Sequence, residues 1–250
     1  MSRYDGLAGS YDAMMTDAVY VKRADWLERL FRKSAIPVNS VLDLACGTGT
    51  IACLLAERGY QVIATDASEE MLTQAMLKAA VLEECAPVFL QQEMPKLRLL
   101  EPVDAVISTI DSLNYLTRER DIRETFKRVY RWLKPGGQFI FDVNTPEKLR
   151  AMDGQVFLDE DDDVYCVWRG VFDEDTNICS YGMDLFQRQG DVWHRSFEEH
   201  REYAYSRQQL REYLKEAGFT HIKVYADRRF ETPGEGEQRI YFKARKGTIR

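Results

Sequence analysis

The 250-residue sequence lacks the features that mark membrane, secreted or polyanion-binding proteins. Nowhere do eighteen apolar residues run together, so no membrane-spanning helix is expected. Arg3, Asp5, Asp12 and Asp17 break up any secretory hydrophobic stretch near the start, and a cytoplasmic location follows as the expectation. Histidine occurs only three times, and the five cysteines, at 46, 53, 85, 166 and 179, form no C-x-x-C pair. Finger-type zinc sites and a disulfide framework are thereby excluded; no metal is expected, and the thiols read as reduced and packed. Cationic excess is also missing: 34 Lys and Arg stand against 41 Asp and Glu, a net charge of −7. That balance disfavours nucleic acid as a partner and favours a small molecule. What is there, 45% apolar and 30% charged residues, is an ordinary globular composition with enough chain for a sizeable core.

From Ser40 to about Asn144, short β-branched runs alternate with amphipathic stretches, the pattern of a parallel sheet flanked by helices. Strands are predicted at 41–45, 61–65, 88–91, 105–110 and 138–143. Helices are predicted at 50–57, at 69–84 after the N-cap Ser68, and at 118–133 before Pro135-Gly136-Gly137. Beyond Pro146 the composition changes. The five acids at 159–163 read as a solvated loop, and extended stretches at 164–172, 178–187 and 192–205 are joined by hairpin-forming turns, an antiparallel insertion. Ser206 and Gln209 then form a capping box for a helix ending at Gly218, followed by strands at 220–226 and 239–244. A helix at 20–34 precedes the sheet, after an arm rich in tyrosine. The expected fold class is α/β, doubly wound and Rossmann-like, with an antiparallel β insertion.

The first strand ends in Asp43-Leu44-Ala45-Cys46-Gly47-Thr48-Gly49 and leads into a helix. Glycine there leaves space for a ligand against the backbone and tolerates positive φ. With Ala52 the segment also satisfies G-x-G-x-x-A, a dinucleotide fingerprint, which keeps an NAD-dependent oxidoreductase open as an alternative. Asp43, however, stands four residues before Gly47, where a carboxylate would repel a pyrophosphate and attract a cation. Asp66, after the second strand, can accept from both hydroxyls of a ribose. An adenosine-bearing cation suits both acids. As purely structural residues, Asp43 and Asp66 would cap local amides, Met71 would be helical core, and Cys46 would be a small packed residue.

Asp43 to Gly49, Asp66 to Leu72, and Leu133-Lys134-Pro135-Gly136-Gly137 before Phe139-Ile140-Phe141-Asp142 resemble a class I S-adenosylmethionine-dependent methyltransferase of the small-molecule type, with a β-rich insertion after the fifth strand. The resemblance covers nearly the whole chain. It implies a seven-stranded, mostly parallel sheet ordered 3-2-1-4-5-7-6, S-adenosylmethionine as methyl donor and S-adenosylhomocysteine as product. It also implies one domain from 1–150 and 206–250, with 1–35 as a helical arm or lid and 151–205 as an insertion over the acceptor site. By the same resemblance Asp43 meets the methionine ammonium, Ala45, Gly47 and Gly49 surround the methionine moiety, and Asp66 holds the ribose. Ala67 and Met71 flank the adenine, Glu93 takes the place of the usual Asp beside its amino group, and Met94 adds a backbone contact. Ala45 replaces a more usual Gly, which is tolerable if its φ is negative. Tyr4, Tyr11-Asp12 and Tyr20 resemble the arm that closes over the donor, with Tyr11 as the contact.

Methyl transfer from a sulfonium needs alignment and exclusion of water, and a base only for a protonated acceptor. Ile110-Asp111-Ser112-Leu113-Asn114-Tyr115 follows the fourth strand and faces the crevice where strand order reverses. Ile110 is placed with the donor, Asp111 as a candidate catalytic residue, and Asn114 and Asn144 as candidate acceptor contacts; capping of local turns is the competing role. In 192–205 the period-two alternation puts His194, Ser196, Glu198, His200 and Glu202 on one face and Trp193, Phe197, Tyr203 and Tyr205 on the other. The aromatic face is expected in the core and the polar face in solvent. His200, Arg201 and Tyr203 resemble a feature of the family near the acceptor, which adds His200 and Tyr203 to the catalytic candidates. The insertion can equally serve a homodimer contact. A non-catalytic S-adenosylmethionine-binding module is the other alternative.

Overall fold

The computed structural model describes residues 17–248. Helix α1 (Asp17–Phe31) leads into β1 (Ser40–Leu44), α2 (Thr50–Glu57), β2 (Gln61–Asp66), α3 (Glu69–Ala79), β3 (Val88–Gln91), β4 (Val103–Ser108), α4 (Glu119–Trp132) and β5 (Leu133–Asn144). There follow α5 (Pro146–Ala151), β6 (Val156–Asp161), β7 (Val164–Asp173), β8 (Ile178–Gln189), β9 (Val192–Tyr203), α6 (Arg207–Glu216), β10 (Phe219–Ala226) and β11 (Arg239–Lys246). Seven strands form one sheet in the order β10-β11-β5-β4-β1-β2-β3, the expected order with β10 and β11 as the sixth and seventh strands. The pairings among β1 to β5 are parallel, and β11 runs antiparallel to both β5 and β10.

The central strands carry the continuous apolar runs that a sheet covered on both faces requires. One face packs Phe126 and Val129 of α4 and Leu210 and Leu214 of α6 against Phe139, Phe141 and Phe242. The other packs Trp26, Leu27 and Leu30 of α1 and Ile51 and Leu55 of α2 against Val41, Ala105 and Ile140. Ser68 caps α3 by accepting from the Met71 amide, and the Ser206–Gln209 capping box is present at α6.

Three sequence expectations are corrected. The acids at 159–163 form a loop only at Asp162 and Asp163, which make the turn; Asp159, Glu160 and Asp161 belong to β6, which pairs with β7 from Val156↔Arg169 to Asp161↔Val164. Its start, Val156-Phe157-Leu158, has strand propensity, and acidic side chains suit the outer strand of the four-stranded sheet β6-β7-β8-β9, because they discourage pairing with another chain. In β9 the expected faces hold only in part: His194 is exposed and Tyr205, just beyond the strand, is in the core, but between Phe197 and Glu202 they are exchanged. Glu198, His200 and Glu202 are buried, while Trp193 and Phe197 are 45% and 56% exposed. The polar face turns inward because it has partners there: the Asn144 amide donates to Glu202 Oε2 and the Tyr115 ring meets the His200 ring edge-on. Finally, Ala45 has φ +61°, so the residue replacing the usual glycine takes the left-handed conformation after all.

A hollow at the strand tips

A hollow of about 760 Å³ opens at the carboxyl ends of β1, β2 and β4, where strand order reverses. Asp43, Ala45, Gly47, Asp66, Ala67, Met71, Glu93, Met94, Ile110 and Asp111 all line it. Five sequence candidates among the described residues do not: Gly49, Asn114, Asn144, His200 and Tyr203. Tyr4, Tyr11 and Asp12 lie outside the described residues; Tyr20, of the same arm, is buried and lines the hollow.

The glycine turn is built by hydrogen bonds between consecutive elements. The Cys46 amide donates to Thr65 O at 2.9 Å, tying the turn to β2, and the Gly47 amide donates to Asp66 Oδ2 at 2.8 Å. The other oxygen of Asp66 accepts from the Ser68 amide at 2.9 Å. Asp66 therefore fixes the turn and faces the hollow at once; burial pushes its carboxyl up, and the backbone amides pull it back.

The two glycines have different work. A Cβ at Gly47 would meet nothing within 4 Å, consistent with a place where ligand passes close to backbone. A Cβ at Gly49 would stand 2.8 Å from Ala75 Cβ and 3.1 Å from the Phe89 ring, and Gly49 does not line the hollow. Its placement beside the methionine moiety is thus corrected: Gly49 lets α2 pack against α3 and β3.

Asp43 is the least compensated group. It is 1% exposed, and neither carboxylate oxygen has a hydrogen-bond partner among the described residues. Burial, with Asp66's charge adding to it, pushes its carboxyl up to about 7. A buried carboxylate without partners is costly unless a cation completes it, so the donor set fits a ligand carrying ammonium or sulfonium and opposes a pyrophosphate. No group of three or more His, Cys, Asp or Glu among the described residues could hold a metal ion. Burial, with the charges of Asp43 and Asp66, raises the Cys46 thiol, so it is a poor nucleophile.

At the β4 side, matters are closed rather than open. Burial opposes the charge of Asp111, but Arg239, with Lys148 and Arg23, holds its carboxyl below the usual range. Arg239 Nη2 donates to Asp111 Oδ1 at 2.6 Å. Asn114 is fully buried: its amide donates to Asn144 O at 3.1 Å and Tyr203 O at 3.0 Å, and its Oδ1 accepts from the Asn144 amide at 3.0 Å. It is a brace between β5 and β9. Asn144 in turn joins Glu202 to Lys148 Nζ, at 2.8 Å each. Burial and the Asp111 charge push the Glu202 carboxyl well up, opposite to the direction in which Arg239 moves Asp111. His200 is one ring removed from the hollow, behind Tyr115, with Nε2 3.3 Å from Glu198 Oε2.

Tyr115, in the segment expected to face the crevice, and Arg201, expected near the acceptor, both line the hollow; sequence reasoning missed Asp142, Arg23 and Arg239 as the groups behind the β4 side. Asp142 had a signal: an acid inside the apolar run Phe139-Ile140-Phe141-Asp142-Val143 demands partners.

Residues 41–137 match a family described as a methyltransferase domain. The YqeM protein of Bacillus subtilis (strain 168), named as a methyltransferase, is 36% identical over 97% of this chain and 97% of its own length. The glycine/sarcosine N-methyltransferase of Parasynechococcus marenigrum (strain WH8102) is 29% identical over 84% of this chain and 73% of its own. Among solved structures, an S-adenosylmethionine-dependent methyltransferase from Clostridium acetobutylicum ATCC 824 superposes with a TM-score of 0.86 at 28% identity, covering 98% of this chain and 96% of that one.

Proposed function

The chain belongs to the class I S-adenosylmethionine-dependent methyltransferases, and we propose that its acceptor is a small molecule carrying an amine, bound at the β4 side of the hollow. The observation that carries the reading is Asp43, a buried carboxylate on the lining of the hollow that has no hydrogen-bond partner among the described residues and asks for a cation. The acceptor class is supported by Asp111, a lining carboxylate at the β4 side that is not needed for the donor. It is supported also by the name of the N-methyltransferase relative.

When bound, S-adenosylmethionine supplies a methyl group already activated on a sulfonium, which an in-line nucleophile can displace. In our reading Asp43 binds the ammonium of the donor and Asp66 its ribose hydroxyls. Ala67 and Met71 would flank the adenine, with Glu93 accepting from its amino group and Met94 adding a backbone contact. Ile110 closes the wall beside the reacting atoms and excludes water. Asp111, whose carboxylate Arg239 holds in place, orients the acceptor amine by its charge; methyl transfer itself needs the amine's free lone pair, and the proton released afterwards passes to solvent. The β9 strand covers one side of the hollow through Arg201. Residues 151–205 then act as the cap over the acceptor.

The test is calorimetry with S-adenosylmethionine, S-adenosylhomocysteine and NAD, followed by radiolabelled methyl transfer to panels of amines, alcohols and carbon acids. Binding of the two sulfur nucleosides and labelling of amines are expected. Binding of NAD alone would restore the oxidoreductase alternative, and donor binding with no labelled acceptor in any panel would favour the non-catalytic module.

A further inference from the structure

Asp142 lies on β5, fully buried and outside the hollow's lining, yet it gathers four donors from three distant parts of the chain. Its Oδ1 accepts from the Ile110 amide at 2.9 Å and from Arg23 Nη1 at 3.2 Å; its Oδ2 accepts from the Asp111 amide at 3.2 Å and from Arg239 Nη1. Ile110 and Asp111 have φ of +60° and +49°, two consecutive non-glycine residues in the left-handed region. A β-branched side chain there is a true outlier and persists only where surrounding structure holds it. Successive amides in such turns converge on a common point and form an anion-binding nest. Here the anion is a carboxylate of the protein itself.

We infer that Asp142 is a positioning residue for methyl transfer: by filling the nest it holds Ile110 and Asp111 left-handed, and so sets the wall of the hollow against which donor and acceptor meet. Arg239 carries the effect further, since the same guanidinium bonds both Asp142 and the Asp111 carboxylate. Arg23, which also donates to the Tyr241 hydroxyl, ties α1 to the same point, close in sequence to Tyr20 on the lining. The inference rests on the reading of the hollow as the donor site.

The test is a double-mutant cycle read by S-adenosylhomocysteine calorimetry, with Asp142→Asn, Ile110→Gly and both together. Asparagine keeps the shape but provides one acceptor where two amides need two, so Asp142→Asn is expected to weaken binding about tenfold. Glycine adopts the left-handed turn unaided. In the Ile110→Gly background the same Asp142→Asn change is therefore expected to cost less than about threefold, although the melting temperature stays low. A merely structural Asp142 would give equal losses in both backgrounds, which overturns the inference. Should Asp142→Asn not fold, hydrogen exchange of the native protein decides. Slow exchange at the Ile110 and Asp111 amides is expected, and exchange at the rate of an open loop overturns the assignment. A native protein that leaves S-adenosylhomocysteine unbound removes the reading of the hollow and the inference with it; native binding unaltered by Asp142→Asn removes the positioning role alone.

Discussion

At the tips of β1 and β2 the carboxylates keep hydrogen-bonding capacity toward the hollow, whereas around the tips of β4 and β5 the polar groups are matched to other parts of the chain. Asp43 has no partner among the described residues. Asp111, Asp142, Asn114 and Asn144 are joined instead to Arg239, Arg23, Tyr203 and Glu202, across separations of up to 128 residues. Open valence marks where a ligand completes the protein, and closed valence marks where the protein completes itself. The sharpest contrast lies within one turn, between Gly47, whose missing side chain leaves room for ligand, and Gly49, whose missing side chain leaves room for protein.

The largest expected effect separates those two glycines. Gly49→Val places a Cβ against Ala75 and Phe89 at φ +73°, and overpacking together with left-handed strain should cost about 4 kcal/mol. For a chain of this size that lowers the melting temperature by roughly 8–16 °C. Gly47→Ala should cost about 1 kcal/mol of stability while weakening S-adenosylhomocysteine markedly. If the Gly49 variant melted like the native protein and lost only binding, the division of the turn would be wrong.

Next in size is Asn114→Ala. It strands three buried partners, the Asn144 amide, Asn144 O and Tyr203 O, at a cost of about 2–3 kcal/mol in stability. Donor affinity should stay within about threefold, since Asn114 does not line the hollow. A large loss of affinity at unchanged stability would return Asn114 to the list of ligand contacts.

Asp43 gives a smaller effect with a distinctive sign. Its carboxyl is raised from 3.8 to about 7, so the empty protein takes up a proton at Asp43 that the unfolded chain has already lost. The stability this contributes is complete below about pH 4 and disappears as pH rises through about 7. Donor binding runs the other way: the cation needs the ionised form, so affinity for S-adenosylmethionine should grow with pH up to about 7, by at most about tenfold per unit. Asp43→Asn should remove both slopes, weaken binding by about 2 kcal/mol at pH 8, and leave the unliganded protein no less stable there. Calorimetry and melting curves between pH 5.5 and 8.5 check all three. Flat curves for the native protein would mean that Asp43 has a partner after all.

This comparison also explains what the sequence could reveal. Strand order, the glycine turn and the two acids were legible because the tips of β1 and β2 are local constructions, in which Gly47 and Asp66 lie 19 residues apart and neighbouring strands bring them together. The role of Gly49 was not legible, because spacing cannot tell a glycine that admits a ligand from one that admits Ala75. Nor was the acceptor side. Period-two alternation correctly sorted β9 into two faces, but which face is inside depended on Asn144 and Tyr115 meeting Glu202 and His200 from other elements. An acidic run likewise looks like a loop until the register with β7 is known.

The smallest effect tests whether strain is treated differently at the two ends. Ala45 and Ile110 are both left-handed, at φ +61° and +60°, and both line the hollow. The Ile110 amide is held by Asp142, whereas next to Ala45 it is the following amide, of Cys46, that ties the turn to Thr65. Replacing Ala45 by glycine removes roughly 1 kcal/mol of left-handed strain and adds about 0.4–1 kcal/mol of unfolded-state freedom. The two nearly cancel, so Ala45→Gly should raise the melting temperature by about 1–2 °C at most, with donor affinity unchanged. A clear fall in stability would mean that the alanine methyl packs favourably enough to outweigh its strain, and that this end of the hollow, too, is held by contacts the sequence does not announce.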